Sequence, residues 1–235
     1  MINNKNITIS ANDVKDFKVT YCDENAIIKD LLKKEFLSYF EEPIMDVGGG
    51  TADILSEVIP DKKVVLLDVL DFSDVKIPLA HKRITGDFFD TQLMKSLMPI
   101  NTLFMSHVQQ FIDGDLDRLR SAIAEIGAKR IILIEDVNND FLGDVMRFSL
   151  ANFSNANPEI KIDGFPYGYK KVKSISFTAT LISPTFLELT KQCLYLMDLT
   201  HSEENLSRMF EFLQKNLSKP KFTINQEINV YDLDL

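Results

Sequence analysis

The run Ile44-Met45-Asp46-Val47-Gly48-Gly49-Gly50-Thr51-Ala52-Asp53 joins a short apolar stretch to three successive glycines and then to a segment of helical periodicity. Glycine is required where backbone turns sharply, or where a ligand comes too close to leave room for a Cβ atom. The apolar stretch carries an acid, Asp46, and a second acid, Asp68, closes the next apolar run, Val64-Val65-Leu66-Leu67, 20 residues beyond Gly48. A carboxylate so placed accepts hydrogen bonds from both ribose hydroxyls of a nucleoside. These residues predict a nucleoside pocket above a glycine turn. Each also has a plainer role open to it, since a glycine turn needs no ligand and an acid at a strand end serves equally as a helix cap or turn residue.

A dinucleotide site would use the same strand, turn and acid. Here, however, Asp53 occupies the third position of the GxGxxG frame. A small residue is needed there for close packing of helix on strand, and a carboxylate would repel a pyrophosphate. The dinucleotide reading is disfavoured on that ground.

Taken with Gly86-Asp87-Phe88-Phe89, these residues resemble the successive cofactor motifs of class I S-adenosylmethionine-dependent methyltransferases. The GDFF tetrad resembles the small-molecule O-methyltransferases in particular, and the match runs in order from about Ile44 to Glu135. The resemblance implies S-adenosylmethionine as cofactor and S-adenosylhomocysteine as product. It also implies roles for single residues. Gly48, Gly49 and Gly50 would pass beneath the methionine part of the cofactor, with Asp46 near its ammonium group, directly or through water. Asp68 would bind the ribose diol and Val69 would flank the adenine. Gly86 opens the third motif, in which Asp87 and Phe88 would contact the adenine amine and ring. Ser106 and His107 would stand near the sulfonium. Ala52 departs from the pattern, standing where many members have a third glycine.

The resemblance bears on the acceptor too. Members that act on amino groups of nucleobases or glutamine carry an Asn or Asp-Pro-Pro-aromatic tetrad after the fourth strand, whereas this chain has Ser106-His107-Val108-Gln109. A small-molecule acceptor is favoured, with oxygen as the methylated atom. A sulfonium methyl is already electrophilic, so the protein must chiefly align the acceptor and exclude water. A hydroxyl or phenol must also lose a proton, for which a histidine is suited. His107 is the candidate base, because ligands bind at the carboxyl ends of parallel strands. In members with an extra dimerisation domain the catalytic histidine lies further along the chain, which favours His107 as a pocket-lining residue without acid or base work over its role as base. Gln110, Asp136, Tyr167 and Tyr169 are further candidate acceptor contacts, with Glu135 beside them. His81 and His201 read as surface or capping residues. Two other classes stay open: a protein of this fold that binds the cofactor without transferring methyl, and an interaction scaffold, which would have no nucleoside affinity.

The elements that must position these residues follow from periodicity. Apolar runs at Ile44 to Val47, Val64 to Val69, Arg83 to Gly86, Thr102 to Ser106 and Arg130 to Glu135 predict buried parallel strands. Helical spacing at Ala52 to Ile59, Thr91 to Leu97 and Leu116 to Ile126 alternates with them, as a βαβ chain requires. Ile27, Ile28, Leu31, Leu32, Phe36, Leu37 and Phe40 predict an amphipathic helix over Glu24 to Phe40 that covers one face of the sheet. Late in the chain, Val172 to Ile182 and Phe222 to Leu235 read as extended, with helices at Thr185 to Leu199 and Ser202 to Leu217 between them. The expected fold is α/β, a doubly wound, mostly parallel Rossmann-like sheet closed by an antiparallel C-terminal edge hairpin. The whole of 1–235 reads as one domain, with 1–42 a cap region and the irregular stretch 138–170 a possible substrate loop.

Composition is ordinary for a globular chain: 45% apolar and 26% charged residues, without the bias of disordered or disulfide-rich chains. A net charge of -9 argues against broad nucleic-acid binding, because phosphate neutralisation needs clustered Lys and Arg. Lys170, Lys171 and Lys173 read as the solvated start of a strand. Cys22 and Cys193 form no CxxC pattern, so neither a metal site nor a disulfide framework is expected. With no signal-peptide core in the first residues and no run of about 18 apolar residues, the chain is expected to be cytoplasmic and free of membrane. No pattern specifies an oligomer.

Overall fold

The computed structural model describes residues 22–97, 99–107, 116–156, 168–197 and 199–234. Seven strands form one sheet: β1 (Ile44–Val47), β2 (Val64–Asp68), β3 (His81–Thr85), β4 (Thr102–Ser106), β5 (Arg130–Asp136), β6 (Tyr169–Ile182) and β7 (Lys221–Leu233). Their spatial order is β3-β2-β1-β4-β5-β7-β6. The first five are mutually parallel, and β7 runs antiparallel to both β5 and β6.

Side-chain parity divides the core. Ile44, Leu66, Phe104, Ile132, Ile134, Ile228 and Val230 face one way and pack under the N-terminal helix. Met45, Leu67, Leu103, Met105, Ile131 and Leu133 face the other way. There they meet Met94 of α3 (Thr91–Leu97) and Ile123 of α4 (Leu116–Ile126). Because both faces are covered, the inner parallel strands β1, β2, β4 and β5 read in sequence as largely apolar runs, whereas the edge strand β3, His81-Lys82-Arg83-Ile84-Thr85, does not.

The N-terminal helix spans the predicted segment but is not regular. It begins as α1 (Glu24–Leu31), widens to a π turn at Leu32–Phe36 and tightens to a 3₁₀ turn at Leu37–Tyr39. Ile28, Leu32, Phe36 and Phe40 are spaced by four, and all are fully buried. In an α-helix a spacing of four drifts by ~40° per step. The wider turn offsets that drift and keeps the row on the sheet.

Differences from expectation are local. The helix after the glycine turn is a single turn, α2 (Leu55–Val58), preceded by hydrogen-bonded turns from Gly49 and Ala52. The stretch read as irregular contains α5 (Phe141–Asn152), with Leu142, Val145 and Ser149 buried along one face. Asp140 caps it, its side chain accepting from the amides of Leu142 and Gly143 at 3.0 and 3.3 Å, while its second oxygen accepts from the Asn225 amide of β7. Strand β6 begins at Tyr169 rather than Val172, with a bulge between Lys171 and Lys173. Between β6 and β7 stand α6 (Phe186–Leu196) and α7 (Glu203–Asn216), capped by Thr185 and Ser202. They form a third apolar cluster with α5. No helix among the described residues is long and apolar enough to cross a membrane.

His81 departs most from its sequence reading. It opens β3 instead of preceding it and is buried, with Nε2 3.1 Å from the Ile59 carbonyl and Nδ1 without a partner. Burial lowers its pKa from the ordinary 6.5. As the pH falls below 6.5 the unfolded chain takes up the proton before the folded one, so stability is lost from that point down towards the folded pKa. The urea midpoint of the wild type is expected to fall between pH 7 and 5.5, and His81→Gln should flatten that fall. Equal slopes for the two proteins in urea titrations would contradict the assignment.

Candidate functional site

The turn after β1 is built on left-handed backbone, with φ of +70° at Gly48, +46° at Gly50 and +62° at Ala52. Its amides are used internally. Those of Gly48 and Gly49 donate to the Leu67 carbonyl at 2.8 and 3.2 Å. The Gly50 amide donates to Asp68 Oδ2 at 2.9 Å, and the Leu70 amide to Asp68 Oδ1 at 2.8 Å. Each carboxylate oxygen thus holds one backbone donor and keeps a further lone pair. Arg83 of β3 donates through Nη1 to the Gly50 carbonyl at 2.5 Å, pinning the turn from below.

Above these residues lies a cavity of about 260 Å³, walled by Gly48, Gly50, Asp68, Val69, Gly86, Asp87, Phe88 and Ser106 among others. It stands at the carboxyl ends of the strands, where β2 leaves to one side of β1 and β4 to the other. Ligands of open α/β sheets bind at such a switch point. Val69 is 67% exposed on the cavity rim, whereas Phe88 is packed into the core at 7%. Asp87 accepts the Phe89 amide at 2.9 Å, and Arg118 lies 4.1 Å above the Phe89 ring.

Asp46 is buried beneath the turn and borders a smaller adjoining recess with Gly49, Thr51 and Asp53; Asn25, Gly48 and Ser106 are walls of both spaces. Space is tight around these glycines as well. A Cβ on Gly49 would sit 3.3 Å from the Asp46 carboxylate, and one on Gly86 would meet Leu93 at 2.4 Å. The Cβ-free turn above an acid, and a second acid opening on the same cavity, suit a ligand with an ammonium group and a ribose.

At the other end of the cavity the fold joins residues distant in sequence. His107 follows β4 with φ +52°, and its Nε2 stands 2.5 Å from Glu24 Oε1. Gln226 Nε2 donates to Glu24 Oε1 and to Asp136 Oδ1, both at 2.7 Å, and lies 3.4 Å from His107 Nε2. Asp136 and Gln226 are register partners across β5 and β7. Glu24 is the first residue of α1, where the helix dipole favours an acid.

Of the sequence-predicted residues, Asp136 and His107 meet on this wall. Glu135, next along β5, points to the opposite face and accepts from Asn229 Nδ2 at 2.7 Å. Tyr169 is a correction. It opens β6 opposite Leu233, at the amino end of β5, and donates to the Ala128 carbonyl at 2.6 Å, so it stands at the end of the sheet away from the cavity. Burial raises its hydroxyl pKa. Gln110 and Tyr167 lie outside the described residues. Glu24 and Gln226 were not legible in the sequence, since Glu24 reads as an ordinary first-turn acid and Gln226 as one polar position in an alternating strand.

No family model matches the chain, and no curated protein does. Solved structures do. A cyclopropane-fatty-acyl-phospholipid synthase-like protein from Lactobacillus casei aligns with a TM-score of 0.57 at 9% identity, over 89% of this chain and 90% of that one. A SAM-dependent methyltransferase from Anabaena variabilis aligns at 0.56 and 14% identity, over 94% and 91%. A Pyrococcus horikoshii protein proposed to be an RNA methyltransferase aligns at 0.50 and 13%, over 91% and 84%. The chain has the class I S-adenosylmethionine-dependent methyltransferase fold. A dinucleotide-binding Rossmann sheet continues from the fifth strand into a sixth alongside it, in the order 3-2-1-4-5-6. In the methyltransferase-type sheet found here, β7 enters antiparallel between β5 and β6.

Gly50 tests the turn itself. A side chain at φ +46° is strained in any surroundings, and left-handed backbone costs an L-residue about 1–2 kcal/mol. Gly50→Ala is expected to lose that much stability in urea unfolding. An unchanged midpoint would show that the turn is not held in this conformation.

Proposed function

We propose that the chain is an S-adenosylmethionine-dependent methyltransferase, folded as one domain, that acts on a small-molecule acceptor and methylates oxygen. The observation that carries this reading is Asp68. Its carboxylate closes β2, accepts the Gly50 amide of the glycine turn at 2.9 Å and opens on the cavity. The name of the Anabaena neighbour accords with the cofactor. The Pyrococcus name makes RNA the rival acceptor.

When bound, the cofactor supplies a methyl group made electrophilic by its sulfonium and leaves as S-adenosylhomocysteine. The chain's residues do the rest. Asp68 takes the ribose diol on the lone pairs that Gly50 and Leu70 leave, and Val69 and Phe88 flank the adenine. Gly86 borders the base, with Asp87 at its amine. Asp46 and the turn Gly48 to Gly50 receive the amino-acid end, and Ser106 lines the passage to the acceptor. His107 takes the proton that an acceptor hydroxyl must lose, and Glu24, 2.5 Å away, stabilises the imidazolium that forms. Gln226 holds Glu24 and Asp136 in place with its two N–H groups. Cytoplasmic residence belongs to the same proposal. Cys193 is buried and Cys22 lies on the cavity, which gives the two thiols no common surface.

Isothermal titration with S-adenosylmethionine, S-adenosylhomocysteine and NAD separates the classes. Micromolar affinity for the two adenosyl ligands, without affinity for NAD, is expected. Asp68→Ala should weaken that affinity by about 10- to 100-fold, as expected for charge-assisted hydrogen bonds; unchanged affinity refutes the ribose role. With a hydroxyl acceptor, His107→Ala should cut turnover by about 100-fold or more. A rate independent of pH between 6 and 9 in the wild type would remove His107 as base. Tight adenosyl binding without turnover on any acceptor would turn the reading to a cofactor-binding protein.

A further inference from the structure

The end of the cavity away from Asp68 is built by an insertion. Two helices, α6 and α7, stand where β6 could have returned directly into β7. They are packed rather than tethered: Phe148 and Phe141 of α5 stack on Phe212 of α7 at 4.2 and 5.9 Å between ring centroids. The result is a fixed wall on the β5-β7-β6 side of the cavity. Leu142 and Met146 of α5, Tyr195 and Leu196 at the end of α6, Met197 after it, and Ile224 of β7 line that wall. All but Tyr195 are fully apolar.

Charge is as one-sided as polarity. Glu24, Asp68, Asp87 and Asp136 line the cavity, and no lysine or arginine does so among the described residues. Cys22, also on the wall, adds no anion, since burial and the neighbouring Glu24 push its thiol up to about 12. A phosphate or carboxylate brought into this space would leave water for a wall with four acids and no lysine or arginine among the described residues, where His107 is already paired with Glu24, which is unfavourable on both counts. An uncharged apolar ring system loses only its contact with water.

We infer that the methyl acceptor is an apolar molecule without an anionic group, seated against the wall formed by α5 and the β6–β7 insertion, with its hydroxyl towards His107. The inference rests on the methyltransferase reading for which end of the cavity receives the acceptor. It excludes nucleotides, RNA and carboxylic acids as acceptors. It also makes the insertion the element that selects the substrate.

Naphthol and naphthoate share a ring system and differ in charge near neutral pH, so they test the inference directly. Titrated into protein saturated with S-adenosylhomocysteine, naphthol is expected to bind at least about tenfold more tightly than naphthoate. Met146→Lys, at a half-buried position of the wall, should reverse that preference, and Tyr195→Ala should weaken naphthol about fivefold or more. Both variants should keep the wild-type affinity for S-adenosylhomocysteine. If Met146→Lys does not fold, Tyr195→Ala and the wild-type preference decide. Equal or tighter binding of naphthoate to the wild type overturns the inference, as does failure of both probes to bind or tight binding of a short single-stranded RNA. Should S-adenosylhomocysteine itself not bind, the methyltransferase reading fails instead. The naphthol preference, measured without it, then judges the wall alone.

Discussion

The contact between the Gly50 amide and the Asp68 carboxylate ties together what would otherwise be two independent strand ends. Parallel strands share no turn, so nothing in their pairing fixes how the loops above them sit. Here the turn after β1 leans on β2 through three amides, two to the Leu67 carbonyl and one to Asp68. Asp68 is held in turn by the Leu70 amide, and Arg83 of β3 grips the Gly50 carbonyl. Three adjacent strands thus set the shape of one loop. The acid is also oriented before any ligand arrives, which lowers the ordering cost of binding.

The opposite wall obeys a different constraint, the strict alternation of side chains along a strand. Ile132, Ile134 and then Asp136 face the α1 side of β5, and Gln226, Ile228 and Val230 face the same side of β7. The apolar members anchor the register in the core. At the cavity end the same register sets an acid against an amide at a buried site, where each needs the partner it finds. Glu24 reaches the pair because Ile28, Leu32 and Phe36 dock α1 on this face. A slip of one residue in β7 would replace Gln226 by Asn225 or Glu227 and dissolve the cluster.

Legibility in the sequence followed the range of the interactions. The parallel strands, the glycine turn and Asp68 all lie in one stretch whose periodicity is local, and they stand where the pattern places them. The mixed edge was legible as two extended segments with helices between. Other features were hidden, and each for a physical reason. α5 was obscured by the glycine and asparagines around it. Gly143 in fact admits the Asn138 carbonyl, which would lie 2.2 Å from a Cβ there. His81 was misplaced because a strand start and a turn look alike in sequence. Tyr169 was drawn to the site by its aromatic neighbours, though strand direction carries it to the far end of the sheet. Glu24 and Gln226 meet across 202 residues, and no local pattern encodes such a contact.

Backbone strain gathers where these constraints converge. Ala52, His107 and Asn138 are the non-glycine residues with positive φ among those described, and they follow β1, β4 and β5 in turn. Such conformations cost on the order of 1–3 kcal/mol each and persist only where the surroundings over-determine them. Ala52 is held by its hydrogen bond to the Gly49 carbonyl at 2.7 Å and by burial. The His107 amide bonds the Ile134 carbonyl at 3.3 Å while its ring is held by Glu24. Each sharp exit lets a central strand run fully paired to its last residue and still turn the next side chains over the cavity. A relaxed exit would carry His107 away from Glu24. The stability given up after β4 is therefore coupled to the site, because the bend that strains His107 brings its imidazole to the wall where strand register has set Asp136 and Gln226 and α1 has set Glu24.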